Sequence, residues 1–121
     1  FKTKDCTGIR DYVHVEDIVD AHYKCLAGIN RIRYSFIAIN LGSRVQYSSK
    51  EIFEFIKKKF NNKIIKVSFT NKKKGEPDKL LASNSLAKKV LHWIPTKNIK
   101  NSIIDMIKWE KYKFKKNYKF Y

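Results

Sequence analysis

The chain has 121 residues, a length suited to one domain, and 43% of them are hydrophobic, so it can bury a core and is not a disordered polypeptide. Its 27 lysines and arginines against 11 aspartates and glutamates give a net charge of +16. No apolar run approaches the length of a membrane-spanning helix, and the first residue is Phe1 rather than methionine, which reads as a piece of a longer polypeptide.

So high a charge raises the question of nucleic acid. Only four of the basic residues are arginines (Arg10, Arg31, Arg33 and Arg44), and readers of base edges use arginine's planar fork. Isoleucine and asparagine are frequent as well, and neither serves phosphate binding. The composition therefore reads as a drift toward lysine, and no specific nucleic acid is expected as a partner. Two cysteines, Cys6 and Cys25, lie outside any CxxC or His/Cys cluster, so no metal site is expected and reduced thiols in a cytoplasm are.

The predicted elements run as follows. Residues 12–15 alternate weakly and suit a short strand. A helix begins at Asp17 with acid in its first turn, and its buried face is Ile18, Ala21, His22, Cys25 and Leu26; Gly28 is its C-terminal cap. Residues 28–35 form a loop. Phe36 to Leu41 is a nearly continuous apolar run closed by Gly42, the pattern of a strand covered on both faces, as in a parallel sheet. Ser48-Ser49-Lys50-Glu51 is a capping box, and the helix it starts turns Ile52, Phe55 and Ile56 to one face before Asn61-Asn62 ends it. Ile64 to Phe69 alternates as a strand, and 70–80 is a lysine-rich loop. A short helix spans Asn84 to Leu91 with Leu86 and Val90 inward, broken by Trp93-Ile94-Pro95. The last helix covers Ile99 to Lys111 and buries Ile99, Ile103, Met106 and Ile107. Residues 112–121 are a basic aromatic tail. Strand and helix alternate, so the fold class is α/β.

Four phrases, in order, carry a resemblance. Thr7-Gly8-Ile9-Arg10-Asp11-Tyr12-Val13-His14-Val15-Glu16-Asp17 is similar to a Gly-Thr-Gly-x-Arg-Asp-Tyr-Ile-His-Val-x-Asp phrase, with Cys6 in place of the first glycine. Asn40-Leu41-Gly42-Ser43 is similar to Asn-Leu-Gly-Thr-Gly, with Arg44 in place of the second glycine. Lys72-Lys73-Lys74-Gly75-Glu76-Pro77 is similar to Arg-Arg-x-Gly-Asp-Pro. Ala82 to Pro95 is similar to a phrase ending Leu-Gly-Trp and Pro, with His92 in place of the glycine. Together they resemble the C-terminal, substrate-binding part of UDP-glucose 4-epimerases, within the extended short-chain dehydrogenase/reductase family.

The resemblance implies a Rossmann-type NAD-binding fold plus a substrate-binding domain. Residues 1–111 would be the C-terminal substrate-binding portion, with strand 36–41 belonging to the Rossmann sheet. It implies a cytoplasmic isomerase, commonly a homodimer, that interconverts UDP-glucose and UDP-galactose by oxidising and re-reducing C4 with NAD. It implies that Arg10 and Lys73 clamp the diphosphate and that Glu76 accepts a hydrogen bond from the uridine ribose. From the residues alone, Arg10 also reads as a salt-bridge partner of Asp11, Glu16 or Asp17, and Lys73 as a solvated lysine. Lys73 keeps the charge of the family's arginine without its fork.

No catalytic or cofactor-binding residue is expected in this chain. Gly8, Gly28, Gly42 and Gly75 stand too far apart for a dinucleotide loop, and the one Tyr-x-x-x-Lys spacing, Tyr112 and Lys116, falls in the lysine-rich tail. NAD would be held by an N-terminal part outside this sequence. His14 and His22 read as packing residues. The alternatives are another sugar-nucleotide-modifying member (a 4,6-dehydratase, decarboxylase or uronate epimerase) and a basic module whose aromatics stack on single-stranded bases.

Overall fold

The computed structural model describes residues 1–31, 35–59 and 67–116. In chain order the elements are β1 (Ile9–Asp11), α1 (Val15–Gly28) with a closing 3-10 turn at Ile29–Arg31, β2 (Gln46–Ser48), α2 (Ser49–Lys59), α3 (Ser85–Leu91) and α4 (Ile99–Lys116). β1 and β2 pair antiparallel, Ile9 opposite Ser48 and Asp11 opposite Gln46. On the other side of β1, Lys79 forms a single parallel bridge with Ile9.

The first strand lies before the stretch 12–15 expected for it. Residues 12–14 turn the chain into α1, and His14 is the cap: its Nδ1 accepts the Glu16 N–H at 3.1 Å. The helix therefore begins at Val15, two residues earlier than Asp17. The capping box at Ser48 forms as read, with Ser48 N–H on Glu51 Oε2 (2.6 Å) and Glu51 N–H on Ser48 Oγ (3.1 Å). A second reciprocal cap opens α4, where Asn98 and Asn101 each accept the other's backbone N–H at 3.1 Å. α4 runs five residues past the expected Lys111, so 112–116 of the supposed tail are helical.

The core is centred on Trp93, which is fully buried, with Ala21, Ala87 and Leu91 against it. Val13, Cys25, Ile39, Leu41 and Val90 pack around these. Ile99 and Ile103 are buried on α4. Three expected inward residues are instead exposed: Leu26, Leu86 and Met106. His22 is also exposed, its Nδ1 2.8 Å from the Ile18 carbonyl one turn back. α1, α3 and α4 each bury a narrower stripe than their apolar periodicity offers. α1 turns Ala21 and Cys25 inward and leaves Val15, Val19, Tyr23 and Leu26 on an uncovered face.

Residues 36–41 are not a strand here: no described residue pairs with them, and Phe36 is 84% exposed. A strand exists only through its ladder, and the apolar run has no neighbour among the described residues. Of the expected strand 64–69, residues 64–66 lie outside the described residues, and 67–69 are exposed and unpaired in any ladder.

Cys6, Arg44 and His92, where this chain has another residue in place of a glycine of the resembled phrases, have φ of 59°, 65° and 51°. They are the non-glycine residues with positive φ among those described. The left-handed region favours glycine, so a side chain at each of these positions is strained. His92 ends α3 in the left-handed region, and the Trp93 N–H then reaches back to the Ala87 carbonyl at 3.3 Å.

Candidate functional site

The site expected from sequence lies where β1 meets the loop 72–80. The Ile9 N–H donates to the Asp78 carbonyl (2.9 Å) and the Leu80 N–H to the Ile9 carbonyl (3.0 Å), so the loop is laced to the strand that carries Arg10. Lys73 to Glu76 form a turn closed by the Glu76 N–H on the Lys73 carbonyl at 3.2 Å. Gly75, third in that turn, has φ +82°, a conformation that favours glycine.

This lacing brings Arg10 and Glu76 together. Arg10 Nη2 lies 2.7 Å from Glu76 Oε1, and Nη1 donates to the Ile9 carbonyl at 2.9 Å. The guanidinium rests against Gly8, where an added Cβ would meet its atoms at 2.9–3.1 Å. Asp11, Glu16 and Asp17, the partners considered from sequence, are all engaged elsewhere. The Phe1 ring packs near the same guanidinium, 5.7 Å from Cζ to the ring centroid, and Lys72 Nζ lies 5.1 Å from that centroid. Lys72 also pairs with Asp78 at 2.6 Å. That hydrogen bond, with a second from the Lys2 N–H, holds the Asp78 carboxyl below its ordinary pKa.

Lys73 is exposed and makes no ion pair among the described residues. Of the three consecutive lysines, Lys72 is the one turned toward Phe1. Sequence reasoning missed Phe1, Lys72 and Asp78, and only the lysine triplet hinted at one of them. A hollow of about 230 Å³ adjoins Gly8 and Phe1 and is walled by Phe53, Phe69 and Thr70 among others.

The neighbours of Arg10 fix the surrounding frame. Asp11 accepts the Ser43 N–H and hydroxyl, both at 2.5 Å, and the Ala82 N–H at 3.2 Å, tying β1 to two loops. Gly42 is packed so closely that a Cβ there would sit 2.3 Å from Asp11 Oδ2 and 2.8 Å from Ala82 Cβ. Gly42 and the buried Asn84 exchange two hydrogen bonds at 2.5 and 2.7 Å. Asp17 is 4% exposed and accepts three: from Thr96 N–H (3.0 Å), Thr96 Oγ1 (2.9 Å) and Lys97 N–H (3.0 Å). Burial works to raise the Asp17 pKa, but these donors and the nearby His14 outweigh it and hold the carboxyl below its ordinary value.

His14 is buried, as a packing histidine should be, and it also has a carboxylate partner that sequence did not reveal. Its Nδ1 accepts the helix cap bond, and its Nε2 lies 3.3 Å from Asp105 Oδ2 on α4. Hydrogen bonding to Lys108, with a smaller contribution from His14, lowers the Asp105 pKa against its partial desolvation. Both cysteines are free. Among the described residues no three metal-ligating side chains cluster, and no helix is long and apolar enough to cross a membrane.

No protein-family model matches the chain. A UDP-glucose 4-epimerase of Lactobacillus helveticus is 38% identical over 114 residues, covering 92% of this chain and 33% of that protein. The crystal structure of a UDP-glucose-4-epimerase from Stenotrophomonas maltophila, with bound NAD and formylated UDP-arabinopyranose, superposes with a TM-score of 0.81 at 28% identity, over 95% of this chain and 34% of the other. That of Bifidobacterium longum, in complex with NAD+ and UDP, gives a TM-score of 0.74 at 27% identity over 84% and 30%. The chain thus spans about a third of the length of the relatives it matches. In sequence and in fold it is similar to about a third of a UDP-glucose 4-epimerase.

Proposed function

We propose that this chain is the UDP-anchoring portion of an NAD-dependent, cytoplasmic epimerase that interconverts UDP-glucose and UDP-galactose. The observation that carries the reading is the placement of Arg10. It is a half-buried guanidinium on a strand fixed from both sides, next to a loop that bears Lys73 and Glu76. A guanidinium offers a bidentate fork to phosphate oxygens, and each charge-assisted hydrogen bond contributes about 1.5–3 kcal/mol. Lys73, exposed at the start of the turn, supplies a second positive charge for the diphosphate. Glu76 supplies an acceptor for a ribose hydroxyl. Such contacts lie away from the reacting carbon, and their role is to orient the sugar.

The chain's own residues do not fit a dinucleotide. Its four glycines are dispersed at 8, 28, 42 and 75, and no glycine-rich turn leads from a strand into a helix. We assign NAD, and the hydride chemistry it supplies, to polypeptide beyond these residues. Two surfaces support the docking of such polypeptide: the unpaired run 36–41, proposed as a strand of the Rossmann sheet, and the exposed α1 face of Val15, Val19, Tyr23 and Leu26. Homodimerisation is proposed on family grounds.

The test is an assay of the intact protein with NAD, following UDP-galactose conversion to UDP-glucose. Conversion that falls at least tenfold in kcat/KM on Arg10→Ala supports the reading. Turnover of UDP-glucuronate but not UDP-galactose would favour a uronate epimerase. Salt-sensitive binding to single-stranded oligonucleotides in place of UDP would favour the basic module.

A further inference from the structure

We propose that Glu76 competes with the ligand's phosphate for Arg10, so that the site masks its own anion-binding group until a ligand displaces the carboxylate. This rests on the UDP-anchoring reading and adds a regulatory contact to it. In the structure the two residues assigned to different parts of one ligand are bound to each other at 2.7 Å. Arg10 Nη1 is committed to the Ile9 carbonyl, and the face of the guanidinium is backed by Gly8. Nη2, which shares the fork with Nη1, donates to Glu76.

Three features make the pair a replaceable one. Its side chains are 22% and 35% exposed, so water and solutes reach it. Glu76 follows Gly75, at the end of a turn whose backbone lacing to β1 begins only at Asp78, so the carboxylate can swing without unlacing the loop. The resembled family carries aspartate at this position. Glutamate adds one methylene, about 1.5 Å of reach, and its carboxylate meets Arg10 Nη2 at 2.7 Å. A phosphate brings more negative charge and more acceptor oxygens than a carboxylate, so it wins the competition when present. Glu76, once released, is free to accept a ribose hydroxyl.

The experiment is calorimetric titration of the intact protein with two probes, UDP and inorganic pyrophosphate, for wild type, Glu76→Gln and Glu16→Gln. Glutamine keeps an acceptor oxygen for a ribose and removes the competing charge. Glu16 pairs with Lys97 away from the site and controls for net charge. We expect E76Q to bind pyrophosphate about two- to fivefold tighter, the range set by a partly exposed ion pair, with E16Q unchanged. Tighter pyrophosphate together with weaker UDP also supports the competition and assigns the ribose contact to the charged form. Wild-type UDP binding with E76Q no tighter for either probe, or with E16Q tightening equally, overturns the competition and leaves the anchoring reading in place. Absence of UDP and pyrophosphate binding by every protein overturns both.

Discussion

Arg10 and Asp17 belong to one phrase of sequence, seven residues apart, yet the fold treats their charges in opposite ways. Asp17 is sealed in, and three protein donors satisfy its carboxylate while its backbone carbonyl takes the Trp93 indole N–H at 2.8 Å. Arg10 is half open and holds one carboxylate on a turn. A charge buried with a full set of donors stabilises the fold and offers nothing to a ligand. A charge with one exchangeable partner adds little stability and remains available. The difference separates the structural half of the phrase from the half proposed to face a ligand.

The contrast breaks most sharply at Trp93. Replacing it by alanine empties the core and removes the bond to Asp17, and we expect a loss of about 3–5 kcal/mol in urea unfolding. Asp17→Asn leaves donors facing an amide that cannot accept all three, for a loss of about 2–3 kcal/mol. Neither change should alter UDP affinity once folding is accounted for. Arg10→Ala should do the reverse: a stability change under about 1 kcal/mol and a large drop in UDP affinity.

Acid sharpens the same comparison. The folded pKa of Asp17 is lowered, so its contribution is fully present above the unfolded value near ~3.9 and is lost as pH falls through the folded value. Asp5, held low by the Ser48 hydroxyl, and Asp78 act in the same direction. Melting temperature should be flat from neutral pH to about pH 5 and fall below that, and D17N should fall less steeply than wild type.

The smallest expected effects are gains. Cys6→Gly, Arg44→Gly and His92→Gly each relieve a left-handed residue, worth about 1–2 kcal/mol, against glycine's greater unfolded-state entropy of about 0.5–1 kcal/mol. Each should stabilise by a few tenths to about 1 kcal/mol, measured by thermal melts. No gain at any of the three would mean that their side chains have taken up compensating contacts.

Local signals were legible in the sequence and distant ones were not. The Ser48–Glu51 box depends on residues within one turn and stands as read. The Arg10–Glu76 and His14–Asp105 pairs join residues 66 and 91 positions apart, and no spacing encodes them. Periodicity shows which residues of a helix could be buried, but not which neighbour covers them. Leu26, Leu86 and Met106 fall on the apolar side of their helices by spacing, yet lie exposed. The apolar run 36–41 announces a strand, but a strand also needs partners, and none is supplied by the described residues. Lys72 and Lys73 are chemically identical in sequence, yet Lys72 reaches Phe1 and Asp78 while Lys73 is exposed.

The most direct measurement is the dissociation constant of UDP for the intact wild-type protein and for Arg10→Ala, by calorimetry at fixed ionic strength. The UDP-anchoring role predicts at least tenfold weaker binding for the variant, the equivalent of about 1.5 kcal/mol or more for a charge-assisted contact, with an unchanged melting profile. Equal affinity for the two proteins would contradict it.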